Sequence, residues 1–187
     1  MSNRVIFLDR DGVINQYPGH GQYVVRLRDF KMLTGSAQAI AHLYRADYKI
    51  YVVSNQGGVA KGLYTRKTLK AMTDRMKRAV FKYGGRIHRV LYCLHTKDMD
   101  CACRKPRVGL LKTATQGRRI DRRHSYFIGD SLMDVKAGQA FGCKTILVLS
   151  GREKMKNAPD WNAAPDFIAK NLKQATRNIL THKYDRA

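Results

Sequence analysis

Aspartates stand at two places in this chain where an apolar run stops. Val5-Ile6-Phe7-Leu8 runs into Asp9-Arg10-Asp11-Gly12, and Ser125 to Ile128 runs into Gly129-Asp130-Ser131-Leu132-Met133-Asp134. Neighbouring carboxylates repel one another unless a cation lies between them. Hard oxygen donors around an open position suit Mg²⁺, which keeps waters and binds phosphate. Gly12 permits a tight turn that aims Asp9 and Asp11 at one point, although Asp and Gly also suit an ordinary turn. Asp130 and Asp134, four residues apart, share one helical side, and each also fits the acidic first turn of a helix. A second acidic strand end, able to share one metal, favours the metal reading.

Two further segments complete a set for phosphoryl transfer. Ser54-Asn55 follows the apolar run Ile50 to Val53 and offers a hydroxyl and backbone N–H groups to phosphate oxygens. Lys105, in Arg104-Lys105-Pro106, offers a cation to the transferring group. Such transfer is mostly positioning and neutralisation of charge on oxygen. A carboxylate nucleophile, a metal, a lysine and a small hydroxyl suffice for it. Singly, each of these residues also reads as an ordinary solvated loop residue.

Just before Arg104 lies a second constellation. Cys93-x-His95 and Cys101-x-Cys103 place three thiols and one imidazole in a single loop. This is a complete tetrahedral Zn²⁺ set with no open position, so the expected role is structural. Zinc here would stiffen the loop that presents Arg104 and Lys105. Cys143 has no neighbouring ligand and reads as a small buried hydrophobe.

The elements that must position these residues alternate in type. Strands are expected at Val5–Leu8, Ile50–Val53, Arg89–Tyr92, Ser125–Ile128 and Thr145–Leu149. Helices are expected at Ala37–Tyr44, Thr65–Tyr83, Val108–Gln116, Leu132–Phe141 and Asp166–Leu180. This alternation predicts an α/β fold, a three-layer sandwich around a mostly parallel sheet. Ligands bind such sheets beyond the carboxyl ends of the strands. Asp9, Ser54, the Cys/His loop, Asp130 and Ser150 should therefore meet at one sheet edge. At 187 residues the chain reads as one domain, 1–187, with a zinc loop at 93–103 and no insertion large enough for a cap.

In this order and at these strand ends, the motifs Phe7 to Asn15, Val53-Ser54-Asn55-Gln56, Lys105 and Gly129-Asp130 with Asp134 resemble the haloacid dehalogenase superfamily of aspartyl-phosphate phosphatases. Within it, Asp9 to Asn15, Ser54 to Thr65 and Cys93 to Pro106 resemble the D-glycero-D-manno-heptose-1,7-bisphosphate phosphatases, whose relatives are the histidinol-phosphate phosphatases. The resemblance implies a Rossmann-like fold, Mg²⁺ for catalysis and a structural Zn²⁺. It implies Asp9 as nucleophile and Asp11 as general acid and base. Asp9, the backbone carbonyl of Asp11 and Asp130 would hold Mg²⁺, with Asp134 in support. Ser54, Asn55, Gln56, Arg104 and Lys105 would bind substrate. The implied activity removes one phosphate from a small anionic sugar bisphosphate on the route to lipopolysaccharide or surface-layer heptose. Histidinol phosphate is the alternative substrate.

Thirty-six Lys and Arg against 14 Asp and Glu give a net charge of +22, which attracts anionic partners. A nucleic-acid 3′-end phosphatase would suit that charge, but such enzymes usually lack this zinc loop, and no aromatic-rich stacking surface is evident. A non-enzymatic binding protein on the same fold is disfavoured by the intact Asp9, Asp11, Lys105 and Asp130. The N-terminus lacks the longer apolar stretch of a signal peptide, and no run of about 18 apolar residues marks a membrane span. A cytoplasmic monomer without a membrane partner is the expectation.

Overall fold

A computed structural model describes residues 3–185. Its centre is a six-stranded sheet in the order β3-β2-β1-β4-β5-β6. The strands are β1 (Val5–Leu8), β2 (Lys49–Asn55), β3 (Arg89–Cys93), β4 (Tyr126–Gly129), β5 (Lys144–Val148) and β6 (Phe167–Ala169). Every neighbouring pair is parallel. The helices are α1 (Ser36–Arg45), α2 (Arg66–Phe81), α3 (Gly109–Thr115), α4 (Leu132–Phe141) and α5 (Leu172–Leu180).

Parallel strands covered on both faces must be apolar throughout, not alternately. Val5–Leu8 obeys this rule, being fully buried over all its residues. Its side chains divide by parity between two cores. Ile6 and Leu8 join Ile50, Val52 and residues of α1, α2 and α5, among them Ile40, Met76 and Ile179. Val5 and Phe7 join Tyr51, Val53, Phe127 and residues of α3 and α4, among them Leu111 and Phe141. The result is helix, sheet, helix, as the alternation of elements predicts.

Strand order reverses between β1 and β4, because β2 and β3 lie on one side of β1 while β5 and β6 continue on the other. This is the topological switch point, where the connections diverge and leave a crevice beyond the strand ends. Asp9 follows β1 and Asp130 follows β4, so both flank that crevice.

One expected element is different. The helix anticipated over Asp166–Leu180 begins only at Leu172, capped by Asn171 accepting from the Gln174 N–H at 3.0 Å. The preceding Phe167–Ala169 is a sixth strand, paired with Ile146 to Val148. The Asp166 carboxylate anchors it, accepting from the Thr145 N–H and hydroxyl, each at 2.6 Å. A strand of three residues is too short to show a period, and its anchor lies 21 positions upstream. Ser54 and Asn55 close β2 as its last residues rather than following it.

Candidate active site

β1 delivers Asp9 to the switch point and then must turn at once. The Asp9 N–H still donates to the Ile128 carbonyl at 3.0 Å, continuing the ladder. Gly12 then adopts a φ of +81°, in the left-handed region that a side chain resists. A Cβ there would also stand 2.1 Å from Asp130 Oδ2, and one on Gly151 would stand 2.0 Å from the same oxygen. Two glycines thus let the loops after β1 and β5 close directly over the Asp130 carboxylate. The Ser150 hydroxyl locks them together by donating to the Gly12 carbonyl at 2.7 Å. The Arg152 N–H donates to Asp130 Oδ2 at 2.7 Å.

Oxygens of Asp9, Asp130 and Asp134 lie within 4.8 Å of one another. Lys105 reaches into this group from the loop before α3. Its ammonium sits 2.9 Å from Asp9 Oδ1 and 2.6 Å from Asp134 Oδ1, and donates to the Val53 carbonyl at 3.0 Å. Burial opposes its charge, but Asp134 and Asp9 outweigh burial and keep Lys105 firmly protonated. Asp134 is doubly held, since its other oxygen accepts from the Ser131 N–H at 3.1 Å and hydroxyl at 2.6 Å. It caps α4 and places Lys105 at once.

Asp9 and Asp130 lack such compensation. Burial, only partly offset by Lys105, raises the Asp9 carboxyl to about 6. Burial first and then Asp9 and Asp134 push Asp130 well above the usual carboxylate range. Among the described residues, no donor besides the Lys105 ammonium stands in hydrogen-bond geometry to Asp9 Oδ1. Three buried carboxylates and one lysine, which pairs with Asp9 and Asp134, leave negative charge to be neutralised, and a small divalent cation held by Asp9 and Asp130 fits that need.

The Asp11 side chain stands outside the carboxylate group. Its oxygens accept from Arg10, from Asn15 Nδ2 at 2.8 Å and from Gln56 Nε2 at 2.9 Å. Gln56 also donates to Ser54 Oγ at 3.1 Å and accepts from the Tyr64 hydroxyl at 2.6 Å. Asn55 does not face outward: its amide accepts from the Lys105 N–H and donates to the Lys105 carbonyl, both at 3.1 Å. Both amides expected to meet substrate thus hold Asp11 and Lys105 in place. Sequence reading passed over Arg10 and Tyr64. Arg10 is a charged residue with no exposed surface, and nothing local in the sequence marks it as buried.

The thiol loop follows β3 directly. Sγ of Cys103 lies 3.2 Å from those of Cys93 and Cys101, and 3.3 Å from His95 Nδ1. All four donor atoms lie within 4.8 Å of one another. That is the donor chemistry and count of a closed zinc shell, and the group can hold zinc. Arg104 is tied to this loop by its guanidinium, which donates to the His95 carbonyl at 3.0 Å. Among the described residues, no helix is long and apolar enough to cross a membrane.

Comparison with known proteins agrees with this geometry. A family model described as HAD-hydrolase-like matches residues 102–175. The D-glycero-beta-D-manno-heptose-1,7-bisphosphate 7-phosphatase of Pseudomonas putida is 37% identical over 169 residues, covering 89% of this chain and 95% of its own. The crystal structure of the D,D-heptose 1,7-bisphosphate phosphatase of B. bronchiseptica, complexed with magnesium and phosphate, has a TM-score of 0.88. It is 33% identical and matches over 96% of this chain and 99% of that one. The corresponding enzyme from Burkholderia thailandensis has a TM-score of 0.71 at 31% identity, over 95% and 99% of the two chains. A parallel sheet with two carboxylates and a lysine at its switch point, followed along its length by relatives of this similarity, makes the chain a haloacid dehalogenase-like phosphatase of the heptose-1,7-bisphosphate phosphatase family.

Proposed function

We propose that this phosphatase removes the C7 phosphate of D-glycero-D-manno-heptose 1,7-bisphosphate through an aspartyl-phosphate on Asp9. The observation that carries this reading is the placement of Asp9 beside Asp130 and Lys105, in a chain related over nearly its full length to enzymes named for that reaction. An Asp9 oxygen attacks phosphorus, and the bond from phosphorus to the sugar oxygen breaks. The departing oxygen keeps the electron pair and takes a proton from Asp11. Water then attacks the same phosphorus, passes its proton to Asp11, and the bond to Asp9 breaks to return the carboxylate and free phosphate.

Asp9, the Asp11 carbonyl and Asp130 hold Mg²⁺, which supplies charge neutralisation for phosphate oxygens and for the paired carboxylates. Lys105 binds the transferring phosphoryl group and pairs with Asp9 before substrate arrives. Ser54 offers its hydroxyl to the phosphoryl oxygens, while Asn55 and Gln56 orient Lys105 and Asp11. Arg104, fixed by the zinc loop, meets the remainder of the substrate. The chain acts as a cytoplasmic monomer, a single domain in which the 93–103 loop holds Zn²⁺.

The test is phosphate release with Mg²⁺ from heptose 1,7-bisphosphate, histidinol phosphate and a 3′-phosphorylated oligonucleotide, compared by kcat/KM. The expected result is at least a tenfold preference for the bisphosphate, about 1.4 kcal/mol in the transition state. Preference for histidinol phosphate would move the chain to the sister activity with the same chemistry. Preference for the oligonucleotide would make the basic surface part of the substrate site.

A further inference from the structure

The Asp11 carboxylate is held by an unusual number of donors. Arg10 Nη2 lies 3.0 Å from both of its oxygens, and Arg10 Nε lies 3.3 Å from Oδ1. Asn15 approaches Oδ1 at 2.8 Å and Gln56 approaches Oδ2 at 2.9 Å. Gln56 is itself fixed by Tyr64 and Ser54. A free carboxylate rotates about its last bond, whereas one gripped on both oxygens from three residues has a single orientation.

The arginine in this clamp is the notable member. Its side chain is 1% exposed, against 20% for that of Asp11. Its guanidinium lies 5.6 Å from the Phe30 ring centroid and 5.8 Å from that of Tyr92, and among the described residues its Nη1 has no hydrogen-bond partner. Burying a guanidinium is costly, and apolar residues of similar volume commonly pack at least as well. A fold needing only to fill this space would have no use for the charge. What the charge does is point both Asp11 oxygens.

We infer that Arg10, with Gln56 and Asn15, is a positioning residue that fixes the Asp11 carboxylate for proton transfer in both halves of the reaction. This inference rests on the reading of Asp11 as the acid and base. A misplaced Asp11 would fail to protonate a poor leaving group. It would also fail to take the proton of the attacking water, whatever the leaving group was. Substrate binding, carried by other residues, would be spared.

These consequences separate positioning from mere packing. Arg10→Lys keeps the charge and loses the forked grip. On heptose 1,7-bisphosphate its kcat should fall about 30-fold with KM within about threefold of the parent. On p-nitrophenyl phosphate, whose leaving group needs no proton, formation of the acyl phosphate should be nearly unimpaired while its hydrolysis is slow. Acid-quenched Arg10→Lys enzyme should therefore show a burst of nitrophenol and accumulated aspartyl-phosphate that the parent lacks. Equal losses on both substrates without a burst, or an unchanged kcat, would overturn the inference.

Gln56→Met removes one donor from the opposite oxygen. It should reproduce the pattern at about fivefold, which keeps the test decisive if Arg10→Lys fails to fold. Asp11→Asn run in parallel distinguishes the two levels. If Asp11→Asn retains the parent kcat, the acid–base reading itself fails. If Asp11→Asn is inactive while both clamp variants match the parent, only the clamp fails.

Discussion

The thiol cluster after β3 and the carboxylate cluster beyond β1 and β4 both gather donor atoms within 4.8 Å, yet they are built in opposite ways. The thiol cluster comes from one stretch, Cys93 to Cys103, and its three thiols and one imidazole match in kind and number a closed zinc shell. The carboxylate cluster joins residues more than 120 positions apart, and one of its members is already claimed by a lysine and a serine. A closed shell can only hold chain together. An open one, short of positive charge, leaves room for a cation and a phosphate. The difference assigns stability to the first cluster and chemistry to the second, and substitution can break that assignment.

The largest effect falls on chemistry. Asp9→Asn keeps the shape and removes the proposed nucleophile, so turnover should drop by about a thousandfold or more. Stability should hold or rise, because the substitution relieves repulsion between buried Asp9 and Asp130. Steady-state phosphate release beside a thermal melt checks both halves. Substantial remaining turnover would refute the covalent role, and a large fall in Tm would give the carboxylates a structural duty.

The converse holds for the thiols. Cys101→Ser leaves three of four ligands and should release zinc, destabilising the protein by about 2–3 kcal/mol. Activity should fall less steeply than with Asp9→Asn, because Lys105 is also pinned by Asn55 and Asp134. Metal analysis and a urea melt measure the outcome. One equivalent of zinc bound at native affinity would reject the four-ligand set.

The two clusters also differed in how legible they were in the sequence. Four soft or borderline ligands in one short loop announce themselves by spacing, because the loop alone brings them together. The carboxylates were legible for another reason. A parallel sheet must put strand ends on one edge, so Asp9 and Asp130 converge once their apolar runs are read as strands. What stayed hidden was where side chains turn after arriving. Asp11 faces Arg10 and Gln56, and Asn55 faces the Lys105 backbone, because partners 45 and 50 residues away complete their hydrogen bonds. Adjacency in sequence says nothing about such partners. The three-residue strand β6 was missed likewise, its place set by pairing with β5.

The smallest predicted effect lies away from both clusters and separates their acid sensitivity from that of the sheet. His88 Nδ1 accepts from the Ile50 N–H at 3.0 Å, a role open only to the neutral ring. Burial, reinforced by Lys49, Arg86 and Arg118, lowers its pKa to about 4 from 6.5. The unfolded chain therefore takes up this proton first as pH falls. The stabilisation is complete above about pH 6.5 and is lost progressively as pH falls towards 4. His88 is partly exposed, and solvent screening reduces the effect to about 1 kcal/mol. Zinc ligands lose metal in acid over a similar range, so the parent protein alone cannot apportion the decline. His88→Asn retains an acceptor that does not titrate. Urea melts at pH 7 and pH 5 should show a shallower loss for this variant, leaving the remainder to the thiol loop. Identical losses in the two proteins would assign the whole acid sensitivity elsewhere, with the zinc shell as the first place to look.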